Sequence, residues 1–167
     1  MNALVINVAE LLREPGSRKH LAVVLPPGDV DVDHPAVTGE LTVDVVLTSS
    51  LDDVVVAGTA AVPWHGACRR CLREIDCTLG VALDERYTDD AGVLAAGEAV
   101  PIVRDQVDLR DLVRDEVLLA ADEERLCRDD CAGLCPTCGA DRNEGRCGCP
   151  APAGDERWSV LDQLRRE

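Results

Sequence analysis

The chain has 167 residues and carries 32 acidic against 17 basic side chains, a formal charge of −15. That length allows one domain with its own core, or one domain plus a small appendage. The charge works against general nucleic-acid binding, which relies on basic surfaces that release counterions, and it suits a basic protein partner. Phenylalanine is absent and the aromatic residues are Trp64, Trp158 and Tyr87, so Val, Leu and Ala must build the core. No apolar run approaches the roughly 18–20 residues needed to cross a bilayer, and the N-terminus lacks a secretory pattern. A cytoplasmic location without membrane attachment is expected, where thiols stay reduced.

In chain order, Leu41, Val43, Val45 and Leu47 share one face and Thr42, Asp44 and Val46 the other, the period of a half-buried strand. Ser49-Ser50-Leu51-Asp52-Asp53 is a polar turn, and Val54–Val62 returns as an antiparallel partner with Gly58 as a candidate bulge. Asp76–Tyr87 alternates again and places Cys77 in phase with Leu79, Val81 and Leu83, which assigns Cys77 to the core. Residues Ala91–Pro101 read as a loop. Asp108 is an N-cap, followed by an amphipathic helix from Leu109 to about Ala121 with Leu109, Leu112, Val113, Val117 and Ala120 on one face. Beyond the proline-rich Pro150–Gly154, Trp158, Leu161 and Leu164 share the face of a docking helix or an amphipathic tail.

The cysteines carry the chemistry. Cys135-Pro136-Thr137-Cys138-Gly139 has the form of a zinc knuckle, in which two thiolates two residues apart fold back on one tetrahedral ion. Cys147-Gly148-Cys149 could complete that site. Cys68, Cys71, Cys127 and Cys131 could form a second, so the cofactor expected is Zn²⁺, one ion or two. A competing partition joins Cys127 and Cys131 to Cys135 and Cys138, and His65 could replace one thiol. Nine cysteines also make complete internal pairing impossible. No Cys/His constellation, phosphate loop or dinucleotide fingerprint stands out, so no enzymatic activity is expected. Arg69, Arg70 and Arg73 form the best local basic cluster and are the candidates for touching RNA phosphate; the alternative is solvated arginines at a hairpin tip.

These motifs, in this order, resemble the YceD family, described as large ribosomal RNA subunit accumulation proteins. The resemblance is carried by Cys68-Arg69-Arg70-Cys71-Leu72, the Asp108-Leu109 helix start, Cys127-x3-Cys131-Ala132-Gly133-Leu134-Cys135-Pro136-Thr137-Cys138-Gly139, Asn143, Cys147-Gly148-Cys149, and Asp155-Glu156-Arg157-Trp158 with Leu161 and Leu164. It implies a role in the synthesis, processing or stability of large-subunit ribosomal RNA, with no implied catalytic reaction.

The expected fold is α+β: a bent antiparallel sheet, with a barrel as one form it could take, covered by a helix and followed by a cysteine-rich zinc-binding lobe. Residues 1–126 would form the β-rich core and covering helix, and residues 127–167 the lobe and C-terminal helix. The expected partner is a basic ribosomal protein or large-subunit assembly factor. Direct binding of precursor ribosomal RNA and a zinc/thiol redox switch are the alternatives.

Overall fold

The computed structural model describes residues 3–51, 53–150 and Arg157. The face expected from Trp158, Leu161 and Leu164 lies outside the described residues. In chain order the elements are β1 (Val5–Asn7), α1 (Ala9–Arg13), β2 (Arg18–Leu25), a 3₁₀ turn (Pro27–Val30), β3 (Leu41–Ser50), β4 (Asp53–Ala67), β5 (Glu74–Thr88), α2 (Ala91–Ala96), β6 (Val100–Pro101), β7 (Gln106–Asp108) and α3 (Arg110–Asp122).

The five-stranded sheet has the order β2-β3-β4-β5-β6, while β1 and β7 pair separately. Pairing is antiparallel from β2 to β5, and β6 joins β5 in parallel at Tyr87↔Val100 and Thr88↔Pro101. The architecture is α+β as expected, but among the described residues the sheet is open and not a barrel: there β2 and β6 each pair with one strand only. The alternation read in β3 holds, with Leu41, Val43, Val45, Leu47 and Ser49 buried.

Both long strands extend beyond the hydrophobic runs that announce them. β3 continues to Ser50 and β4 begins at Asp53, directly opposite, so the turn is shorter than the polar stretch suggested. Leu51 takes a left-handed φ of 48°, a conformation that tight hairpins require. At the other end β4 runs past Trp64 to Ala67, and its partner β5 starts at Glu74. The intervening loop, residues 68–73, carries the first cysteine pair.

Helix α3 packs Val113, Val117 and Ala121 into the core beneath β4 and β5. The helix begins at Arg110 with Leu109 at its N-cap, one residue later than the sequence implies; Asp108 stands just before it, and its Oδ1 accepts the Arg110 N–H at 3.0 Å. The Tyr87 hydroxyl donates to the Asp108 carbonyl at 3.1 Å, fixing the helix start on β5. The far end is equally tied. Trp64 Nε1 donates to the Ala121 carbonyl at 3.2 Å, and the Arg125 guanidinium donates to the Ala120 carbonyl at 2.7 Å while lying 5.4 Å from the Trp64 ring centre. Carbonyls left without helical partners are thereby satisfied, and the chain leaving α3 is held beside the β4–β5 loop.

Two expectations need correction. The Ala91–Pro101 stretch contains α2, because Asp90 Oδ1 accepts the Gly92 and Val93 N–H groups at 2.7 and 3.1 Å and Gly97 ends the helix at φ 73°; its Ala/Gly composition hid a capped turn of helix. Gly58 is not a bulge. It stays in register, opposite Val45 on β3 and Leu83 on β5. A Cβ there would lie 2.1 Å from the Asp44 carbonyl oxygen and 2.6 Å from Val45 Cα, so the glycine permits a close approach of backbones. Gly58→Ala should therefore lower unfolding stability by about 1–3 kcal/mol in chemical denaturation. Gly80→Ala, where a Cβ meets open space, should change it by less than about 0.5 kcal/mol. Equal stabilities for the two variants would refute the close-approach account.

Candidate metal centres

The β4–β5 hairpin folds its loop into a knuckle. The Cys68 N–H donates to the Arg73 carbonyl at 2.8 Å, the Leu72 N–H donates to the Cys68 carbonyl at 2.9 Å, and Leu72 adopts a φ of 61°. This turn directs Cys68 and Cys71 toward the segment leaving α3, and the Arg69 N–H donates to the Arg125 carbonyl at 3.0 Å across the gap. Cys68, Cys71, Cys127 and Cys131 meet there, with their sulfurs all within 4.8 Å of one another. The Cys68–Cys131 and Cys71–Cys127 Sγ separations are 3.7 and 3.6 Å. A tetrahedron with metal–sulfur bonds of about 2.3 Å has edges of about 3.8 Å, so these spacings fit four thiolates around one ion. They are far beyond a disulfide's ~2.05 Å.

The second cluster is local in sequence. The Cys135 N–H donates to the Ala140 carbonyl at 2.8 Å and the Gly139 N–H returns to the Cys135 carbonyl at 2.9 Å, closing the knuckle. Residues 140–146 then carry the chain round to Cys147 and Cys149. Cys135, Cys138, Cys147 and Cys149 place their sulfurs within 4.8 Å of one another. The expected grouping and the suggested second site are thus the two sets brought together. The competing partition is not formed, and His65 belongs to neither set: its Nδ1 lies 2.9 Å from Asp76 Oδ1. Cys77 packs at the edge of the main core.

Local electrostatics divide each cluster. Burial alone would push the Cys68 thiol up, but N–H groups of Cys127, Cys71 and Arg70 aimed at its sulfur bring it down to about 6. Cys135 is lowered to about 6 by the N–H groups of Cys138 and Thr137. Burial, reinforced by the neighbouring sulfurs, pushes Cys127 up to about 12. The neighbouring Cys138 sulfur, aided by burial, raises Cys149 to about 12. At neutral pH each set offers thiolates ready for a cation and thiols that release protons when it binds.

The two clusters share supports. Asn143, from the loop of the second, donates through Nδ2 to Cys131 Sγ of the first at 3.5 Å. Its Oδ1 accepts from the Ala132 N–H and from Arg128 Nη2, each at 2.8 Å. Asp141 Oδ1 orients it, accepting its N–H at 2.8 Å and its Nδ2 at 2.6 Å. Gly133, between the clusters, has φ 69°, and a Cβ on it would lie 3.0 Å from the Arg70 carbonyl, which accepts the Leu134 N–H at 3.0 Å. The three arginines singled out for RNA all have partners within the protein. Arg69 pairs with Glu124, Arg73 with Asp141 and Glu144, and Arg70 donates to the Cys131 carbonyl at 3.0 Å. The role of Asp141 was missed in the sequence; its signal is the Asp-x-Asn spacing of an Asx turn.

This geometry defines a class: an α+β protein whose long hairpin and C-terminal segment build two four-cysteine clusters able to hold metal ions. The chain belongs to the family described as large ribosomal RNA subunit accumulation protein YceD, which matches residues 56–165. That description ties the family to accumulation of large ribosomal subunit RNA. Uncharacterized proteins of Mycobacterium tuberculosis and Mycobacterium bovis are 33% identical to it over 168 residues, covering 96% of this chain and 81% of theirs. An uncharacterized protein of Mycobacterium leprae is 32% identical over 103 residues, covering 59% of this chain and 48% of its own. No solved structure matches the chain.

Two predictions follow from the shared supports and the thiol chemistry. Asn143→Ala should weaken metal retention by the first cluster about tenfold or more in chelator competition, since ligand-orienting partners typically contribute that much; unchanged retention would remove Asn143 from the site. Cys135→Ser should lower bound metal from two equivalents to one, and affinity in the intact chain should rise with pH because binding expels protons from the high-pKa thiols. Elemental analysis showing no metal in protein purified under reducing conditions would refute both.

Proposed function

We propose that this chain is a non-enzymatic, zinc-stapled factor that supports accumulation of large-subunit ribosomal RNA in the cytoplasm by binding a basic ribosomal protein or assembly factor. The observation that carries the reading is membership of the YceD family, in a chain whose charge is −15. An acidic surface attracts basic proteins and repels phosphate backbones. Among the described residues, no helix is long and apolar enough to cross a membrane.

Zinc suits both clusters. All four donors in each are cysteine sulfurs within 4.8 Å of one another, and a closed set of four leaves no open position for substrate. Its role would be structural. In the first cluster an ion bound by Cys68 and Cys71 from the hairpin, and by Cys127 and Cys131 from the segment after α3, would fix the lobe to the sheet. In the second, Cys135, Cys138, Cys147 and Cys149 would hold the lobe's own loop. The internal pairing of Arg69, Arg70 and Arg73 supports a protein-facing reading over direct RNA contact, since their charge is used within the fold.

A tagged pull-down at physiological salt, with and without nuclease, tests this. The expected result is recovery of a basic large-subunit protein or assembly factor that survives nuclease. Recovery of precursor large-subunit RNA, with accompanying proteins lost after nuclease, would instead favour direct RNA recognition.

A further inference from the structure

Strand β5 spans Glu74–Thr88 and pairs with β4 along its whole length, yet β6 covers its other edge only at Tyr87 and Thr88. Among the described residues, the rest of that edge has no strand partner. It faces α3 across a groove of two cavities. One, of about 750 Å³, lies between the first half of α3 and Val100–Gln106; the other, of about 280 Å³, lies beside the second half, and Glu116 lines both. The smaller cavity is walled by five consecutive residues of β5, Thr78 to Ala82. Consecutive residues point to alternate faces of a sheet, so only the strand's backbone edge can present all five to one space.

Exposed edges are sites of strand addition, and proteins normally blunt them. Here the chemistry beside the edge selects what is added. Glu85, Asp111, Asp115, Glu116 and Glu123 line the groove. Of the three arginines there, Arg110 is held by Asp108, Arg125 is engaged with Glu123 and the Trp64 ring, and Arg104 has no ion-pair partner among the described residues, so the carboxylates still outnumber the free cation. Glu116 has no ion-pair partner among the described residues. Apolar contact is available at the rim, where Val103 is 57% and Leu119 66% exposed.

We propose that this groove docks an extended segment of the basic partner, bearing lysine or arginine alternating with apolar residues and added as a strand to the free edge of β5 beside α3. The inference rests on the basic-partner reading above and deepens it. The added strand would lie in line with β6, its cationic side chains meeting the carboxylates of α3 and its apolar ones the Leu119 and Val103 rims. A second copy of this chain fits poorly, because edge-to-edge pairing would bring two acidic α3 flanks together. Nucleic acid would meet the same repulsion.

The test uses the full, metal-loaded chain and a peptide of about eight residues alternating lysine and valine, with a glutamate-for-lysine peptide as control. The lysine peptide should bind, slow amide hydrogen exchange within residues 78–86, and lose about tenfold in affinity at Glu116→Lys, with the control peptide silent. Leu119→Lys should weaken it as well; Leu119 is exposed and Glu116 is half-buried with no ion-pair partner among the described residues, so both substitutions should leave the unfolding midpoint little changed. Slowed exchange elsewhere, equal binding of both peptides, displacement by single-stranded RNA, or protection of the β5 edge by self-association without peptide would each overturn the proposal. The pull-down separates this from the partner reading. Nuclease-resistant capture of a basic large-subunit protein, equal for wild type and Glu116→Lys, would overturn the groove and leave that reading standing. Capture lost in Glu116→Lys supports both.

Discussion

Four sulfurs held within 4.8 Å of one another are the constraint on which the C-terminal part of this protein depends. At that separation two full negative charges repel by about 4 kcal/mol in a medium of effective dielectric ~20, so four bare thiolates cannot coexist. The clusters already reflect this, with Cys68 and Cys135 near 6 and Cys127 and Cys149 near 12. A divalent cation converts the repulsion into a fourfold attraction. The described chain beyond Asp122 needs such a source of order. It contains no helix or strand before residue 150, only an isolated bridge between Leu134 and Asp141, and the apolar residues at its junction with the sheet are few, chiefly Leu126 and Leu134.

The rest of the fold delivers the ligands. β4 runs three residues past Trp64, its last residue in the main core, and the loop that joins it to β5 sets Cys68 and Cys71. Helix α3 returns beneath the same hairpin, with its end fixed by Trp64 on β4 and by Arg125. Trp64 therefore serves two layers at once. Its ring lies in the core and its indole N–H ends the helix, so the path to Cys127 begins at a defined point. Preorganisation of this kind lowers the entropy that metal binding must overcome, because two segments distant in sequence are already neighbours.

Much of this was legible in the sequence where one physical rule governs a residue. Period-two burial located β3 to β5, and period 3.6 with Asp108 located α3, because those patterns are set by burial on one face. The cysteine spacings identified both sets of four, although spacing alone left the partition open: Cys131 and Cys135 are nearly as close along the chain as the members of either set. What decides between partitions is the direction of the β4–β5 loop and the backbone reversal at Gly133, which are tertiary facts. The same holds for Gly58. A lone glycine in a strand pattern fits a bulge or a close approach equally well, and only the 2.1 Å clearance to the Asp44 carbonyl selects the latter. The shared role of Asn143 depends on a contact between two loops and could not be read from either.

The distribution of charge then bears on function. Arg69, Arg70 and Arg73 are consumed internally, by Glu124, Asp141, Glu144 and the Cys131 carbonyl, so the hairpin tip that reads as a basic cluster in sequence is charge-paired in space. The outer side of α3 is different: Asp111 and Asp115 share the single Arg114, and Glu116 is unpaired among the described residues. Negative potential is therefore concentrated beside the open edge of β5. A surface with that combination can recognise a basic chain through main-chain hydrogen bonds for affinity and through alternating side chains for selectivity. No cysteine lines either cavity of that groove, so a partner docked along α3 need touch no thiol, and the clusters can remain closed while the neighbouring face engages it.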